Sequence, residues 1–127
     1  MKHFLAFACL VCALLVSNTV YSDDPVNNFK VERDGKVCLL ATFAARFNVT
    51  YNITDTTAIA SFAIPANATV NQNASDCSDI TAKLVINFFN GYNVTAEFGA
   101  NNSSFQVEKL ILGYTLDTLH FPKAVNQ

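Results

Sequence analysis

Residues 37–53 read Val37-Cys38-Leu39-Leu40-Ala41-Thr42-Phe43-Ala44-Ala45-Arg46-Phe47-Asn48-Val49-Thr50-Tyr51-Asn52-Ile53, and every odd position is apolar. Successive side chains of a β-strand point to opposite faces, so this alternation puts Val37, Leu39, Ala41, Phe43, Ala45, Phe47, Val49, Tyr51 and Ile53 on one side of a sheet. Thr42, Arg46, Asn48, Thr50 and Asn52 fall on the other side, the pattern of a solvated sheet face, and Cys38 and Leu40 share it. At about 3.3 Å per residue a single strand of this length would run roughly 56 Å, far beyond an ordinary strand. A bend or bulge is therefore expected within it, with Ala44-Ala45 the expected place.

Working outward, Ala58, Ala60, Phe62 and Ile64 alternate in a second strand that Pro65 ends. Residues 65–79 are rich in Asn, Ser and Asp and read as an exposed loop holding Cys77. Residues 84–89 and 92–98 flank Asn90-Gly91, a hairpin signal. A two-residue loop would put Leu84, Ile86 and Phe88 on the face of Asn93, Thr95 and Glu97. A three-residue loop, Asn90-Gly91-Tyr92, instead pairs Phe88 with Val94, Ile86 with Ala96 and Leu84 with Phe98, giving a clean apolar face, and is the register expected. Gly99 to Ser104 reads as a polar turn. Phe105 to Leu116 reads as a last strand whose apolar phase shifts at Glu108-Lys109, which predicts a bulge there. No segment after the leader shows sustained helical periodicity, and the fold class expected is all-β.

The chain opens with Met1-Lys2-His3, a short positive region, followed by an apolar run from Phe4 to Val16. That is the pattern of a secretory signal peptide, and Ser17, Asn18 and Thr19 interrupt it well short of the roughly 20 apolar residues of a membrane span. Small or aliphatic residues at Val20 and Ser22 place cleavage after Ser22, so residues 1–22 are the leader, 23–35 an N-terminal segment and 36–127 the β domain. A lipoprotein site at Cys9 would leave too short an apolar run and is set aside. Cys9 and Cys12 leave with the leader, and Cys38 and Cys77 remain with one pairing open to them in an oxidising lumen.

Charge and composition exclude several functions. The basic residues after the leader (Lys30, Arg33, Lys36, Arg46, Lys83, Lys109, Lys123) are spread among more numerous acids, so there is no nucleic-acid footprint. His120 is the one histidine beyond the leader, which leaves no His-based triad or His-rich zinc site, and the cysteines are committed to a disulfide. Asp76 and Asp79 beside Cys77 lack the spacing of an EF-hand and read as solvated carboxylates. No metal, cofactor or small-molecule substrate is expected, and the chain is not read as an enzyme.

The strongest chemical signal is the sequon N-x-[ST], which occurs at Asn48, Asn52, Asn67, Asn73, Asn93, Asn101 and Asn102. With 14 Asn and 18 Ser or Thr in 127 residues, chance alone would supply about two such matches. Each acceptor falls on a polar face or in a turn: Asn48 and Asn52 on the wet face of the long strand, Asn67 and Asn73 in the loop before Cys77, Asn93 at the hairpin, Asn101 and Asn102 in the next turn. N-linked glycans are thus the expected partners. The adjacent Asn101 and Asn102 compete for one glycan, leaving at most six.

Taken in order, several segments resemble the luminal domain of the lysosome-associated membrane glycoprotein (LAMP) family. They are Cys38-Leu39-Leu40-Ala41 leading to Phe47-Asn48-Val49-Thr50-Tyr51, then Ile64-Pro65-Ala66-Asn67-Ala68-Thr69 before Cys77. Leu84-Val85-Ile86-Asn87-Phe88 with Phe98-Gly99-Ala100-Asn101 follow, and Leu110-Ile111-Leu112 with Phe121-Pro122 close the series. The resemblance covers residues 36–124. It implies a β-prism-like antiparallel domain in which Cys38 and Cys77 match the family's first disulfide. It also implies a heavily glycosylated luminal coat of late endosomes and lysosomes, with lysosomal membrane or luminal proteins as partners. The family's second half, membrane helix and cytoplasmic tail have no match before Gln127, so the expectation is a truncated domain or a soluble derivative without the anchor. The alternative is a secreted or cell-surface immunoglobulin-like recognition module, which the absence of any Trp disfavours.

Overall fold

The computed structural model describes residues 24–101 and 104–125. The leader read at 1–22 and the acceptor Asn102 lie outside the described residues. The strands are β1 (Asn27–Arg33), β2 (Lys36–Phe43), β3 (Arg46–Ile53), β4 (Thr56–Ala63), β5 (Thr69–Val70), β6 (Asp76–Cys77), β7 (Thr81–Phe88), β8 (Tyr92–Asn101) and β9 (Ser104–Gly113). Every pairing is antiparallel, and a disulfide joins Cys38 to Cys77. β1 and β2 form one sheet and β3 and β4 a second. The third runs β5-β7-β8-β9, with β6 also paired to β7. Three sheets, rather than the two of an immunoglobulin-type sandwich, surround one core.

The opening stretch breaks at Ala44-Ala45, as its length requires, and the break is complete: β2 and β3 belong to different sheets. β3 keeps its odd side chains inward and so do Leu39, Ala41 and Phe43 of β2, but Val37, expected on the same face, is 50 % exposed opposite Glu32 because the extra residue at Cys38 shifts the phase. Ala45 is buried, and its carbonyl accepts the Ile64 N–H at 3.1 Å. β1 lies inside the 23–35 segment, where only Phe29 and Val31 alternate, too short a run to signal a strand. The β1–β2 hairpin closes through Asp34 and Gly35 at φ of 55° and 77°, two consecutive left-handed residues that suit a tight turn matching strand twist.

Two registers need correction. The β7–β8 loop has three residues, but they are Phe89-Asn90-Gly91, so Phe88 pairs with Tyr92, Ile86 with Val94 and Leu84 with Ala96. The expected pairing is thus displaced by two residues with the faces unchanged. Keeping Tyr92 in the strand buries its ring to 1 % exposure, a gain that outweighs the positive φ of 44° imposed on Phe89. The polar turn expected over 99–104 is also shorter, because β8 runs on to Asn101 opposite Ser104. Gly99 is a bare strand position rather than a turn: the Glu108 carboxylate lies directly over it, where a Cβ would overlap. The bulge expected at Glu108-Lys109 is present, with Glu97 opposite Lys109, Phe98 opposite Val107 and Glu108 the additional residue.

Residues 65–79, expected as an exposed loop, instead line the edge of β7. Thr69 and Val70 pair with Asn87 and Ile86, and Asp76 and Cys77 with Lys83 and Ala82. Between them Asn71 N–H donates to the Val85 carbonyl at 2.8 Å, and the buried Ser75 hydroxyl accepts the Val85 N–H at 2.9 Å. Side chains here do the work of a ladder, which hydrophobic periodicity does not register.

Three seams hold the sheets together. The first and second sheets share the corner at Ala44-Ala45. The second and third are bridged by residues 114–125: Phe121, 1 % exposed, meets the Tyr51 ring edge-on at 5.0 Å and stacks on Tyr114 at 5.2 Å. Tyr51 Oη donates to the Pro122 carbonyl at 2.9 Å, and Val125 N–H to that of Asn52 at 3.0 Å. The first and third meet along β1, where the Gln72 amide accepts the Glu32 N–H at 3.0 Å and donates to the Lys30 carbonyl at 2.8 Å, in the manner of a strand. Arg33 donates to the Gln72 and Ser75 carbonyls at the same place. The register shift in β2 leaves Cys38 as an extra residue, which turns it toward Cys77 at a Cα separation of 6.1 Å.

Replacing both cysteines with alanine should lower the unfolding free energy by about 4 kcal/mol on the loop-entropy model. The readout is a fall in urea midpoint, matched by reduction of the unaltered protein. An unchanged midpoint would mean that the polar contacts of Arg33 and Gln72 carry this seam without the bond.

Candidate functional site: the glycan-acceptor surface

On β3 the buried Phe47, Val49 and Tyr51 force Asn48, Thr50 and Asn52 outward, and all three are exposed. Asn48 lies opposite Ser61 and Asn52 opposite Thr57 on β4. Four residues of strand separate the two acceptors by about 13 Å. Between them Thr50 faces Ile59, an apolar side chain left 68 % exposed.

Asn67 sits exposed in the turn closed by Ala68 N–H to the Pro65 carbonyl at 3.1 Å. Asn73 is exposed on the excursion between β5 and β6, which Ser75 N–H to the Asn71 carbonyl closes at 3.0 Å. Asn93 is the second residue of β8, inside the sheet rather than at the hairpin, and is half-buried on the outer face between Asn87 and Gly113. Its side chain lies across Gly113, where an added Cβ would stand 2.8 Å from Oδ1. Asn101 ends β8. Asn48, Asn52, Asn67, Asn73 and Asn93 all lie outside the core cluster.

Asp76 and Asp79 do not form a site. Asp76 accepts its neighbour Cys77 N–H at 2.9 Å and stands 3.9 Å from the Arg33 guanidinium, with its side chain three-quarters exposed. Among the described residues no cluster of three or more metal-ligating side chains occurs.

A polar cluster that sequence reasoning missed surrounds His120. Tyr92 Oη donates to Asp117 Oδ2 at 2.7 Å, the His120 N–H donates to Asp117 Oδ1 at 2.7 Å, and His120 Nδ1 lies 3.0 Å from the same oxygen. The imidazole stacks on Phe89 at 4.5 Å between ring centroids. Burial, then the hydrogen bond to Asp117 and the charges of Asp117 and Tyr114, push the Tyr92 phenol well above its ordinary range. Burial also pushes the Asp117 carboxyl up. The hydrogen bonds from His120 N–H, Tyr92 and the His120 ring, with the ring's charge, together outweigh that and hold it below 3.8. The cluster's hydrogen bonds are satisfied internally, so it acts as a latch fixing residues 114–121 to the start of β8. Only the three-residue spacing of Asp117 and His120 hints at it in sequence.

Because the Asp117 pKa is lowered on folding, its contribution is present above the unfolded value of 3.8 and is lost as pH falls through the lower folded value. Asp117→Asn should destabilise the protein by about 1–3 kcal/mol at neutral pH. The urea midpoints of variant and parent should then converge as pH drops below 3.8. A gap that stayed constant down to pH about 2 would show that the carboxylate charge is not what the latch uses.

Residues 16–126 match the family described as lysosome-associated membrane glycoprotein 2-like, luminal domains. The chain is similar to lysosome-associated membrane glycoprotein 1 of Mus musculus, at 34 % identity over 103 residues, covering 78 % of this chain and 25 % of that protein. It is similar to the Rattus norvegicus protein of the same name at 30 % over 115 residues, with 87 % and 28 % covered. For the Homo sapiens protein the figures are 33 % over 95 residues, with 72 % and 23 % covered. The chain thus spans about a quarter of the length of these relatives. A family match over residues 16–126, with relatives 30–34 % identical over most of this chain, places it in the lysosome-associated membrane glycoprotein family, as a luminal domain.

Proposed function

We propose that this domain is a non-enzymatic, N-glycosylated luminal module of the lysosome and late endosome, reached through the secretory pathway, whose glycans form a protective coat. The observation that carries the reading is the outward placement of acceptors: Asn48, Asn52, Asn67 and Asn73 are exposed on β3 and around the β5–β6 edge. Each glycan is far larger than a side chain, so several on a body this small would deny proteases the loops and strand edges they need. The family's printed description as luminal and the relatives' name as lysosome-associated membrane glycoproteins support the compartment. The Tyr92–Asp117–His120 group spends its hydrogen bonds on holding residues 114–121 to β8, which favours a structural role for it. Lysosomal membrane or luminal proteins are the partners such a coat would meet.

Secretion from a eukaryotic host followed by glycosidase treatment should reduce the mass by several glycans. Asn48→Gln and Asn52→Gln together should remove two and speed proteolysis of the native domain. A mass unchanged by the enzyme, or a loss of one glycan in all, would sink the coat.

A further inference from the structure

β9 ends the five-stranded sheet, and among the described residues its strand partner is β8 alone, so residues 105–112 have no strand on their other edge. Phe105 and Ile111 on it are 42 % and 41 % exposed. The bulge gives this strand an unusual symmetry. Before it, Phe105 and Val107 face inward, opposite Ala100 and Phe98 of β8. After it, Leu110 and Leu112 do so, opposite Ala96 and Val94. Gln106, Lys109 and Ile111 face outward, and so does Glu108, whose carboxylate lies over Gly99. The inward and outward pattern therefore reads the same from either end, about a point between Glu108 and Lys109.

We propose that two copies of this chain pair antiparallel through their β9 edges, with the two-fold axis passing between Glu108 and Lys109. In that register Glu108 of each copy faces Lys109 of the other, twice over by symmetry. Val107 faces Leu110 and Phe105 faces Leu112 on the inner side, and Gln106 faces Ile111 on the outer. Hydrogen-bond direction alternates along a strand in step with facing, so the backbone ladder is matched wherever the facings are. A strand without the bulge would lose this match, since one half would then turn its apolar residues outward. Bulges and lysines on an edge ordinarily discourage pairing. Here the bulge lies on the symmetry axis and the lysine meets a glutamate, so they select one partner and one register. No charged residue of the inner face opposes the contact, and among the described residues neither Glu108 nor Lys109 lies within 4.0 Å of an opposite charge, although Lys109 stands opposite Glu97 of β8.

The test uses the full chain, secreted and trimmed to short glycans, and measures mass by sedimentation against concentration. A monomer–dimer equilibrium is expected. Lys109→Glu should weaken it at least roughly tenfold by placing glutamates face to face, and Glu108→Lys combined with Lys109→Glu should restore it, because the exchanged charges again alternate across the axis. Should the combined variant fail to fold, judged by circular dichroism, a register probe replaces it. Chains carrying Gln106→Cys and chains carrying Ile111→Cys, mixed and oxidised, should cross-link to each other and not to themselves. A monomer up to about 1 mM, a dimer indifferent to Lys109→Glu, or cross-linking without regard to partner would each overturn the proposal.

Discussion

A two-stranded sheet cannot cover its own apolar face, and two of the three sheets here are two-stranded. The β1–β2 and β3–β4 hairpins persist because each lays its inward residues on the five-stranded sheet, and the seams between them bear the consequence. Val31 and Phe29 are 0 % and 2 % exposed in the shared core, and beside them the segment between β5 and β6 closes along the edge of β1. That closure is polar and specific: the Gln72 amide substitutes for a strand, and Arg33 gathers two carbonyls. The disulfide then removes from the unfolded chain much of the freedom that would compete with it. Side-chain hydrogen bonds thus set the position, and the covalent bond makes leaving it less favourable.

The opposite seam is aromatic. Phe62 touches Phe47, Phe89, Tyr92, His120 and Phe121 within about 6 Å between ring centroids, joining β4 to the hairpin loop and to residues 114–125. Phe89 tolerates its left-handed backbone because its ring is held on several sides, by Phe62, Phe88, Tyr92 and His120. The latch of Tyr92, Asp117 and His120 finishes that end with charge and hydrogen bonds where the rings leave off.

What the sequence reveals and what it conceals divide along physical lines. Period-two alternation exposed β3, β4, β7 and β8, the corner at Ala44-Ala45 and the bulge at Glu108, because each concerns which face a side chain takes. It could not fix the β7–β8 register, since a slip of two residues preserves every face. Only the burial of Tyr92, and the fit of its hydroxyl to Asp117 across 25 positions of chain, decides that. β1 was hidden by its brevity, and the β5–β6 edge by its use of Asn71, Gln72 and Ser75 as ladder groups, since those residue types signal loops when read locally. The outward placement of Asn48 and Asn52 followed directly from alternation. The half-buried seat of Asn93 against Gly113 did not, because it depends on a glycine of the neighbouring strand, 20 positions along the chain.

The two outer faces stay wet by different means. Across the five-stranded sheet, Asp76 lies opposite Lys83, Lys83 opposite Glu97 and Glu97 opposite Lys109, a ladder of alternating sign. Opposite charges across neighbouring strands favour this register over one that would put like charges opposite. On the β3–β4 face Arg46 alone is charged, and Asp24 holds it through two hydrogen bonds, while Ile59 stands exposed among Thr, Ser and Asn. A face so poor in charge would ordinarily invite association through Ile59 and its neighbours. It is also the face on which two sequons flank that isoleucine, at Asn48 and Asn52. Glycans at these positions would supply the solvation that charge supplies elsewhere, which gives their place on β3 a physical reason independent of the domain's compartment. On the β3–β4 face sequons thus stand where the five-stranded sheet carries charge, and the β9 edge belongs to the charged sheet.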